Sequence, residues 1–194
     1  METPALLILD YDGTLADCKS LHQQAFRKAC NIVNPEIEYS DNEVEGLPTF
    51  KKIEYLKSKK YVFNETELMS IKQKLTMENI HEYIKFDQEL KDILTRLSKK
   101  YKLAVCSNAT KEFVEKGLKI QQLDMFEPVC TASDHLPKPE VDIYFYAMYY
   151  FGFAPQQTVI FEDSELGIQA ATDTTATVKT VSNVEHLKGL LNEY

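Results

Sequence analysis

Acidic side chains follow two short apolar segments of this chain, at the points where each segment ends. The residues concerned are Asp10 and Asp12 after Leu6–Leu9, and Glu162 and Asp163 after Thr158–Phe161. Apolar runs of this length, bounded by turn residues, are typical of strands that are buried on both faces. Carboxylates at the end of a buried strand indicate a site that uses negative charge, either to bind a cation or to attack an electrophile.

The spacing of the first acidic pair suits phosphoryl transfer. Asp10 stands at the end of the strand and could attack phosphorus to form an aspartyl-phosphate, while Asp12 could serve as general acid and then as general base. Gly13 lets the backbone turn sharply after them. The alternative is an Asx-type turn that only caps a helix. Asp163 suits Mg²⁺, a hard cation that takes oxygen ligands, although acids also favour helix N-termini without any metal.

Two further segments offer groups that could bind a phosphate. Ser107 and Asn108 follow the apolar run Leu103–Cys106, where a hydroxyl and backbone N–H groups at the start of a helix can bind anionic oxygens. Simple helix capping is the alternative for both residues. Lys138 lies between two prolines, which hold it in a stiff segment where its ammonium could neutralise charge on the phosphate and on Asp10. An ordinary solvated lysine is the alternative there.

Strand-like and helix-like segments alternate along most of the 194 residues. This alternation predicts an α/β fold with a parallel sheet that is covered by helices on both faces. It is interrupted from 17 to 85, where the pattern is helical throughout. We therefore expect a core domain of residues 1–16 and 86–194 with an all-helical insertion at 17–85. In such a sheet, ligands bind beyond the carboxyl ends of the strands.

The composition favours a soluble protein that acts on small molecules. The formal net charge is −8, and no basic stripe suggests nucleic-acid binding. The four cysteines show no CxxC pair, which favours reduced thiols over zinc or disulfides. No apolar run approaches the ~20 residues of a membrane span, and the N-terminus does not resemble a signal peptide. We expect a cytoplasmic protein with no membrane partner.

Taken together, these segments resemble the haloacid dehalogenase superfamily of hydrolases, in its phosphoglycolate phosphatase and beta-phosphoglucomutase subgroup. The motifs that carry the resemblance span the chain and are DYDGT at 10–14, SN at 107–108, KP at 138–139 and FEDSELGIQAA at 161–171. The resemblance implies a Rossmann-like core with an inserted helical cap. It also implies that the catalytic reaction uses Mg²⁺ and a small phosphate ester.

The resemblance assigns a role to each matching residue. Catalysis would use Asp10 as nucleophile, Asp12 as general acid/base and Lys138. Phosphate would be bound by Ser107, Asn108 and Lys138. Mg²⁺ would be bound by the side chains of Asp10 and Asp163 and by the backbone carbonyl of Asp12, with Glu162 in support. In the cap, His22 could orient the acid/base or contact substrate. Gly46 lies in a segment similar to the substrate-specificity loop of this subgroup.

Several alternatives remain open at the level of sequence. A phosphotransferase or mutase would use the same residues, although the arginine of a sugar-phosphate mutase loop is absent here. A non-catalytic scaffold that binds a phosphorylated ligand is disfavoured by the intact acidic and basic set. The family's glycine-bearing turn before the last strand is replaced by 172–177, which contains no glycine. Aromatic residues crowd 144–151, mostly for packing, and the protein could be a monomer or a homodimer.

Overall fold

A computed structural model describes residues 5–44 and 47–194 of the chain. The chain divides into two compact units, one formed by residues up to Asp17 together with Ile84–Tyr194, and the other by Cys18–Tyr83. The first unit contains the sheet, and the described secondary structure of the second is helical. None of the described helices combines the length and the apolar character that a bilayer crossing requires.

The first unit is built on a five-stranded parallel sheet. Its strands are β1 (Leu6–Leu9), β2 (Lys102–Ser107), β3 (Val129–Thr131), β4 (Thr158–Glu162) and β5 (Thr177–Thr180). Their order across the sheet is β3-β2-β1-β4-β5, so the chain moves outward from β1 on one side and then returns to continue on the other. The predicted α/β class is confirmed, and the carboxyl end of β1 lies between those of β2 and β4.

The helices of the sheet-containing unit lie between successive strands, except the last one, which follows β5. They are α5 (Gln88–Ser98), α6 (Lys111–Gln121), α7 (Asp142–Phe151), α8 (Glu165–Asp173) and α9 (Val184–Leu191), with a short 3-10 helix at Pro155–Gln157. The helix α9 was not expected from the sequence. Its apolar residues occupy a single stripe of two turns, which is too short for a clear helical period.

The central strands are buried on both faces. Alternate residues of a strand point to opposite faces of the sheet, yet Leu6, Leu7, Ile8 and Leu9 all have no exposed surface. On one face, residues of β1, β2 and β4 form a core with residues of α7 and α8. Burial of both sets of side chains shows that the sheet is covered on its two sides, as the continuous apolar runs predicted.

The last strand departs from that pattern. β5 lies at the edge of the sheet, and its residues are half-buried or exposed. In the turn before it, Thr175 takes a left-handed conformation with φ of 66°. A β-branched residue is strained in that conformation. Hydrogen bonds from Thr174 Oγ1 to the Ala171 carbonyl at 2.6 Å, and from the Ala176 N–H to Thr174 Oγ1 at 3.2 Å, hold the turn without the missing glycine.

The second unit has its own apolar core. Its described helices are α1 (Lys19–Val33), α2 (Asp41–Val44), α3 (Thr49–Ser58) and α4 (Glu65–Tyr83). Phe26, Ala29 and Cys30 on α1 pack with Ile53 and Leu56 on α3, among other residues. The four-residue helix α2 was not expected from the sequence. The sequence pattern predicts helices at Leu21–Val33, Thr49–Lys59 and Glu65–Tyr83, and α1, α3 and α4 begin and end within about two residues of these bounds.

Candidate active site

Three strand ends bring the predicted residues of the sheet-containing unit together. Asp10 follows β1, Ser107 ends β2 and Glu162 ends β4, and these three strands are neighbours in the sheet. The Asp10 N–H donates to the Phe161 carbonyl at 2.9 Å, which continues the sheet pairing up to the first acid. Parallel strands present their carboxyl ends at one edge, so side chains from distant parts of the sequence meet there.

A buried ion pair lies at the centre of the site. Lys138 Nζ is 2.6 Å from Asp10 Oδ1 and also contacts Glu162 Oε1. Only 2% of Lys138 and 5% of Asp10 is exposed to solvent. A charge this deeply buried is costly unless it is paired, so this lysine is not the solvated residue of the alternative interpretation. It links the carboxylates that end β1 and β4.

Glu162 is held by five hydrogen-bond donors. Its Oε1 accepts from Lys138 Nζ and from the Tyr144 hydroxyl at 2.9 Å. Its Oε2 accepts from the N–H groups of Asp163 and Ser164, at 3.0 and 3.2 Å, and from Ser164 Oγ at 3.1 Å. An ionised carboxylate offers about four lone-pair sites. The geometry therefore suits Glu162 to a supporting role, in which it orients Lys138 and the turn after β4, better than to direct metal ligation.

Asn108 fixes the backbone of Lys138. Its Oδ1 accepts from the Lys138 N–H at 2.7 Å, and its Nδ2 donates to the Lys138 carbonyl at 3.1 Å. Ser107 is buried, and its Oγ accepts from the Ala109 N–H at 3.1 Å. The hydrogen of the Ser107 hydroxyl can then be donated to an anion, whereas most of the Asn108 amide is used to hold the lysine.

Asp163 completes a group of three carboxylates. Asp10, Glu162 and Asp163 each place one oxygen so that these atoms lie within 4.8 Å of one another. The three ionised carboxylates and the charged Lys138 have a formal charge of −2 together, and the three donor atoms are carboxylate oxygens. This donor set fits a divalent, oxygen-preferring cation such as Mg²⁺. Among the described residues, the side chain of Asp12 does not belong to the group.

Burial and neighbouring charges shift the pKa values of the paired groups Asp10 and Lys138. Burial, followed by the negative charges of Glu162 and Asp163, raises the pKa of Asp10 well above its usual range, although Lys138 opposes the shift. Burial alone would lower the pKa of Lys138, but the charges of Asp10 and Glu162 raise it well above its usual value, so it stays protonated. A bound cation would favour the ionised form of Asp10 that a nucleophile requires.

Asp12 lies in the turn that follows β1. Gly13 has a φ of 88°, and its N–H donates to the Ala16 carbonyl at 2.7 Å. Asp12 is half-buried and forms an isolated bridge with Ala16. The sharp turn at Gly13 was expected from the sequence, because glycine adopts the left-handed conformation at little cost.

The two residues predicted in the insertion are placed differently. His22 lies on α1 in the helical unit, where its Nδ1 is 3.1 Å from Lys72 Nζ on α4. Gly46 lies outside the described residues. The structure thus brings Asp10, Asn108, Lys138, Glu162 and Asp163 together at the strand ends, with Ser107 at the end of β2. It places Asp12 in the turn after β1 and gives His22 a lysine partner within its own unit.

Tyr144 is a component of the site that the sequence did not reveal. Its hydroxyl donates to Glu162 Oε1, and its ring lies 5.4 Å from Lys138 Nζ in a cation–π arrangement. It has no exposed surface, and burial raises the pKa of its hydroxyl well above the usual value. In the sequence it is one of several aromatic residues on a single helix, and nothing there separates it from residues that only pack.

Comparison with known proteins agrees with this geometry. The profile of the family described as haloacid dehalogenase-like hydrolase matches residues 7–181. A phosphorylated carbohydrates phosphatase of Thermotoga maritima is 24% identical over 172 residues, which cover 85% of this chain and 79% of that protein.

Solved structures share the fold. A hydrolase from Pseudomonas syringae superposes with a TM-score of 0.81 at 18% identity and covers 98% of each chain. A structure described as a predicted phosphoglycolate phosphatase from Haemophilus somnus gives a TM-score of 0.72 at 22% identity, covering 92% of this chain and 85% of its own. Since the family profile spans nearly the whole sequence, this chain belongs to the haloacid dehalogenase-like hydrolases.

Proposed function

We propose that this hydrolase cleaves phosphate monoesters through an aspartyl-phosphate on Asp10, with Mg²⁺ as cofactor. The observation that carries the proposal is the buried Lys138–Asp10 pair at 2.6 Å, set beside the carboxylates of Glu162 and Asp163. The proposed nucleophile, the buried ammonium of Lys138 and the proposed metal ligands therefore lie together at the carboxyl ends of the strands. Family membership supports a hydrolase, and the arrangement supports this reaction.

In the first half-reaction, a carboxylate oxygen of Asp10 attacks phosphorus. The new P–O bond to Asp10 forms as the bond to the ester oxygen breaks, and the leaving oxygen takes a proton from the carboxylic acid of Asp12. Lys138 stays charged and offsets the negative charge that collects on the phosphoryl oxygens. The Ser107 hydroxyl donates to one of those oxygens.

In the second half-reaction, water replaces the alcohol. Asp12, now a carboxylate, takes a proton from water as the water oxygen attacks phosphorus. The bond between phosphorus and the Asp10 oxygen breaks, which releases inorganic phosphate and restores the Asp10 carboxylate. Asp12 is protonated again, so both residues return to their starting forms.

The metal would be held by Asp10 and Asp163, with Glu162 as the support that positions the turn and Lys138. We also propose that the backbone carbonyl of Asp12 is a ligand, as the family resemblance implies. When bound, Mg²⁺ supplies positive charge that reduces the repulsion between the carboxylates and the incoming phosphoryl oxygens.

A small phosphorylated metabolite is the proposed substrate, and sugar phosphates come first because the Thermotoga maritima relative is described as a phosphatase of phosphorylated carbohydrates. We propose that the helical unit acts as the cap, with residues 17–85 selecting the leaving group. In that unit, His22 with Lys72 is the proposed polar contact for the alcohol part of the ester. A cytoplasmic location is proposed with it, because the four cysteines are buried free thiols.

The test is phosphate release from a panel of sugar phosphates, phosphoglycolate, nucleoside monophosphates and para-nitrophenyl phosphate, with and without Mg²⁺. We expect release by the wild type that requires the metal and disappears in Asp10→Asn. Asp134→Asn is the matched control, because Asp134 forms an exposed pair with Lys111 at 3.0 Å in the same unit. It should keep full activity.

The intermediate is tested separately. Rapid acid quench of the wild type during turnover should leave phosphate on the protein in a form that hydroxylamine releases, and Asp10→Asn should carry none. A folded wild type that releases no phosphate from any ester would contradict the proposed hydrolysis. Transfer of phosphate to a sugar phosphate, in place of release to water, would favour the mutase alternative.

A further inference from the structure

The turn that carries Asp12 is closed by its own backbone. The Tyr11 carbonyl accepts from the N–H groups of Leu15 and Ala16, at 2.9 and 3.0 Å, and the Gly13 N–H donates to the Ala16 carbonyl. These bonds give the turn its shape. They do not fix its orientation relative to the sheet-containing unit, because every partner belongs to the turn itself.

A side chain of α6 attaches both ends of this turn to the unit. The Tyr11 hydroxyl donates to Gln121 Oε1 at 2.9 Å, and Gln121 Nε2 donates to the Leu15 carbonyl at 2.8 Å. A planar amide holds its oxygen and nitrogen at a fixed separation, so the two bonds constrain the start and the end of the turn together. Gln121 is 110 residues from Tyr11 in sequence.

The surroundings are shaped for this contact. Tyr11 has no exposed surface and Gln121 is 4% exposed, so water does not compete for the two hydrogen bonds. A Cβ at Gly117, one turn before Gln121 on α6, would overlap the Tyr11 hydroxyl. The Phe113 ring packs edge-on against the Tyr11 ring, with centroids 6.0 Å apart. Space, hydrogen bonds and ring packing on α6 all accommodate a tyrosine at position 11.

We propose that Gln121 and Tyr11 are positioning residues for the general acid/base Asp12. Asp12 lies between the two points that Gln121 holds, so loosening either point moves its carboxyl group relative to the leaving oxygen. Proton transfer depends on a hydrogen-bond distance, and catalytic groups lose efficiency when displaced by about 0.5 Å. The inference rests on the proposed function, because it assumes the acid/base role of Asp12.

A leaving-group comparison isolates this role. An alkyl ester needs a proton from Asp12 as its P–O bond breaks, whereas para-nitrophenolate is stable enough to leave with little help. The ratio kcat/KM reports the steps up to departure of the alcohol. We therefore compare kcat/KM for the best sugar phosphate of the panel with that for para-nitrophenyl phosphate, in wild type, Tyr11→Phe and Gln121→Met.

We expect Tyr11→Phe to lower kcat/KM for the sugar phosphate roughly 10-fold, and that for para-nitrophenyl phosphate less than about 3-fold, since general acid catalysis contributes about 100-fold or more. Gln121→Met releases both ends of the turn and should widen this difference. Phe113→Leu is the control, because it weakens packing on the same Tyr11 ring without removing a hydrogen bond. It should lower the thermal midpoint while leaving the ratio of the two kcat/KM values unchanged.

Equal losses for both esters in Tyr11→Phe and Gln121→Met would overturn the positioning role and leave a purely structural contact. A changed ratio in Phe113→Leu would overturn it as well, because any local loosening would then have the same effect. Failure of the proposed function is seen separately, as absence of hydrolysis by the wild type, or as hydrolysis that persists in Asp10→Asn; either result also overturns the inference. If a variant is unfolded by circular dichroism, the other variant decides.

Discussion

The turns after β1 and β4 both carry acidic residues to the same site, yet they are held in different ways. The turn after β4 is organised by Glu162, which accepts from its sequence neighbours Asp163 and Ser164. The turn after β1 is oriented by Gln121, which is distant in sequence. The turn that presents Asp163 is thus largely a local structure, whereas the turn that presents Asp12 depends on the correct docking of α6.

Lys138 pairs with Asp10 before one turn and with Glu162 before the other, so its removal should have the largest effect on stability and activity. In Lys138→Ala, Asp10 and Glu162 lose their buried cation, and breaking a buried pair costs about 3–5 kcal/mol. We expect the free energy of unfolding in urea to fall by about that amount and hydrolysis to be lost. Lys111→Ala breaks an exposed pair and should change stability by less than about 0.5 kcal/mol. Similar losses in both variants would contradict the central role of Lys138.

A substitution at Gly167 should disturb the turn after β4. A Cβ there would overlap the Glu162 carboxylate, which five donors prevent from moving aside. We expect Gly167→Ala to lower the free energy of unfolding by about 3 kcal/mol, at the upper end of overpacking effects. Gly189→Ala is the control: a Cβ there meets nothing within 4 Å, so the substitution should stabilise α9 by about 0.5–1 kcal/mol. Equal effects would show that Glu162 is free to shift.

Two buried tyrosines sharpen the comparison, since each donates its hydroxyl to one of the turns. Tyr144→Phe removes a donor to the charged Glu162 and should cost about 2 kcal/mol, whereas Tyr11→Phe removes a bond to a neutral amide and should cost about 1 kcal/mol. Because Tyr144 supports the Lys138 side of the site, we expect its loss to slow alkyl and aryl esters equally. A leaving-group dependence in Tyr144→Phe would remove the distinction between the turns.

The smallest expected change is in the free energy of unfolding of the metal-free protein. Since the pKa of Asp10 is raised in the folded protein, the folded chain binds that proton more tightly than the unfolded chain. The free energy of unfolding should therefore fall as pH rises from the usual carboxyl range through the raised pKa. Asp10→Asn removes this titrating group, so we expect the stability of the variant to change less with pH over this range than that of the wild type.

Metal addition provides the check on that last prediction. Mg²⁺ should raise the thermal midpoint of the wild type and have a smaller effect on Asp10→Asn, because the variant lacks one of the proposed ligands. A wild type whose stability is independent of pH between 4 and 7 in the absence of metal would contradict the expected destabilisation by the ionised Asp10.

The same contrast explains which features the sequence revealed. Acids at strand ends, the proline-flanked Lys138 and the glycine of the first turn form local patterns, and the α/β class follows from the alternation of apolar runs. The contacts of Tyr144 and Gln121 have no local pattern, because each depends on a helix docked against a turn far away in sequence. The strained Thr175 before β5 was not foreseen for a different reason: local hydrogen bonds in its own turn override the preference for glycine, and the residue types alone do not show those bonds.

The fit between Tyr11, Gly117 and Gln121 has an evolutionary consequence. The hydroxyl needs the space that glycine leaves and the acceptor that the amide supplies, so substitutions at the three positions should not be independent. With phenylalanine at position 11, no hydroxyl would need the space at 117, so that position could diversify, whereas Gln121 would still hold the Leu15 carbonyl. Once such diversification has occurred, returning tyrosine to position 11 alone would be selected against, which makes the sequence history of this turn difficult to reverse.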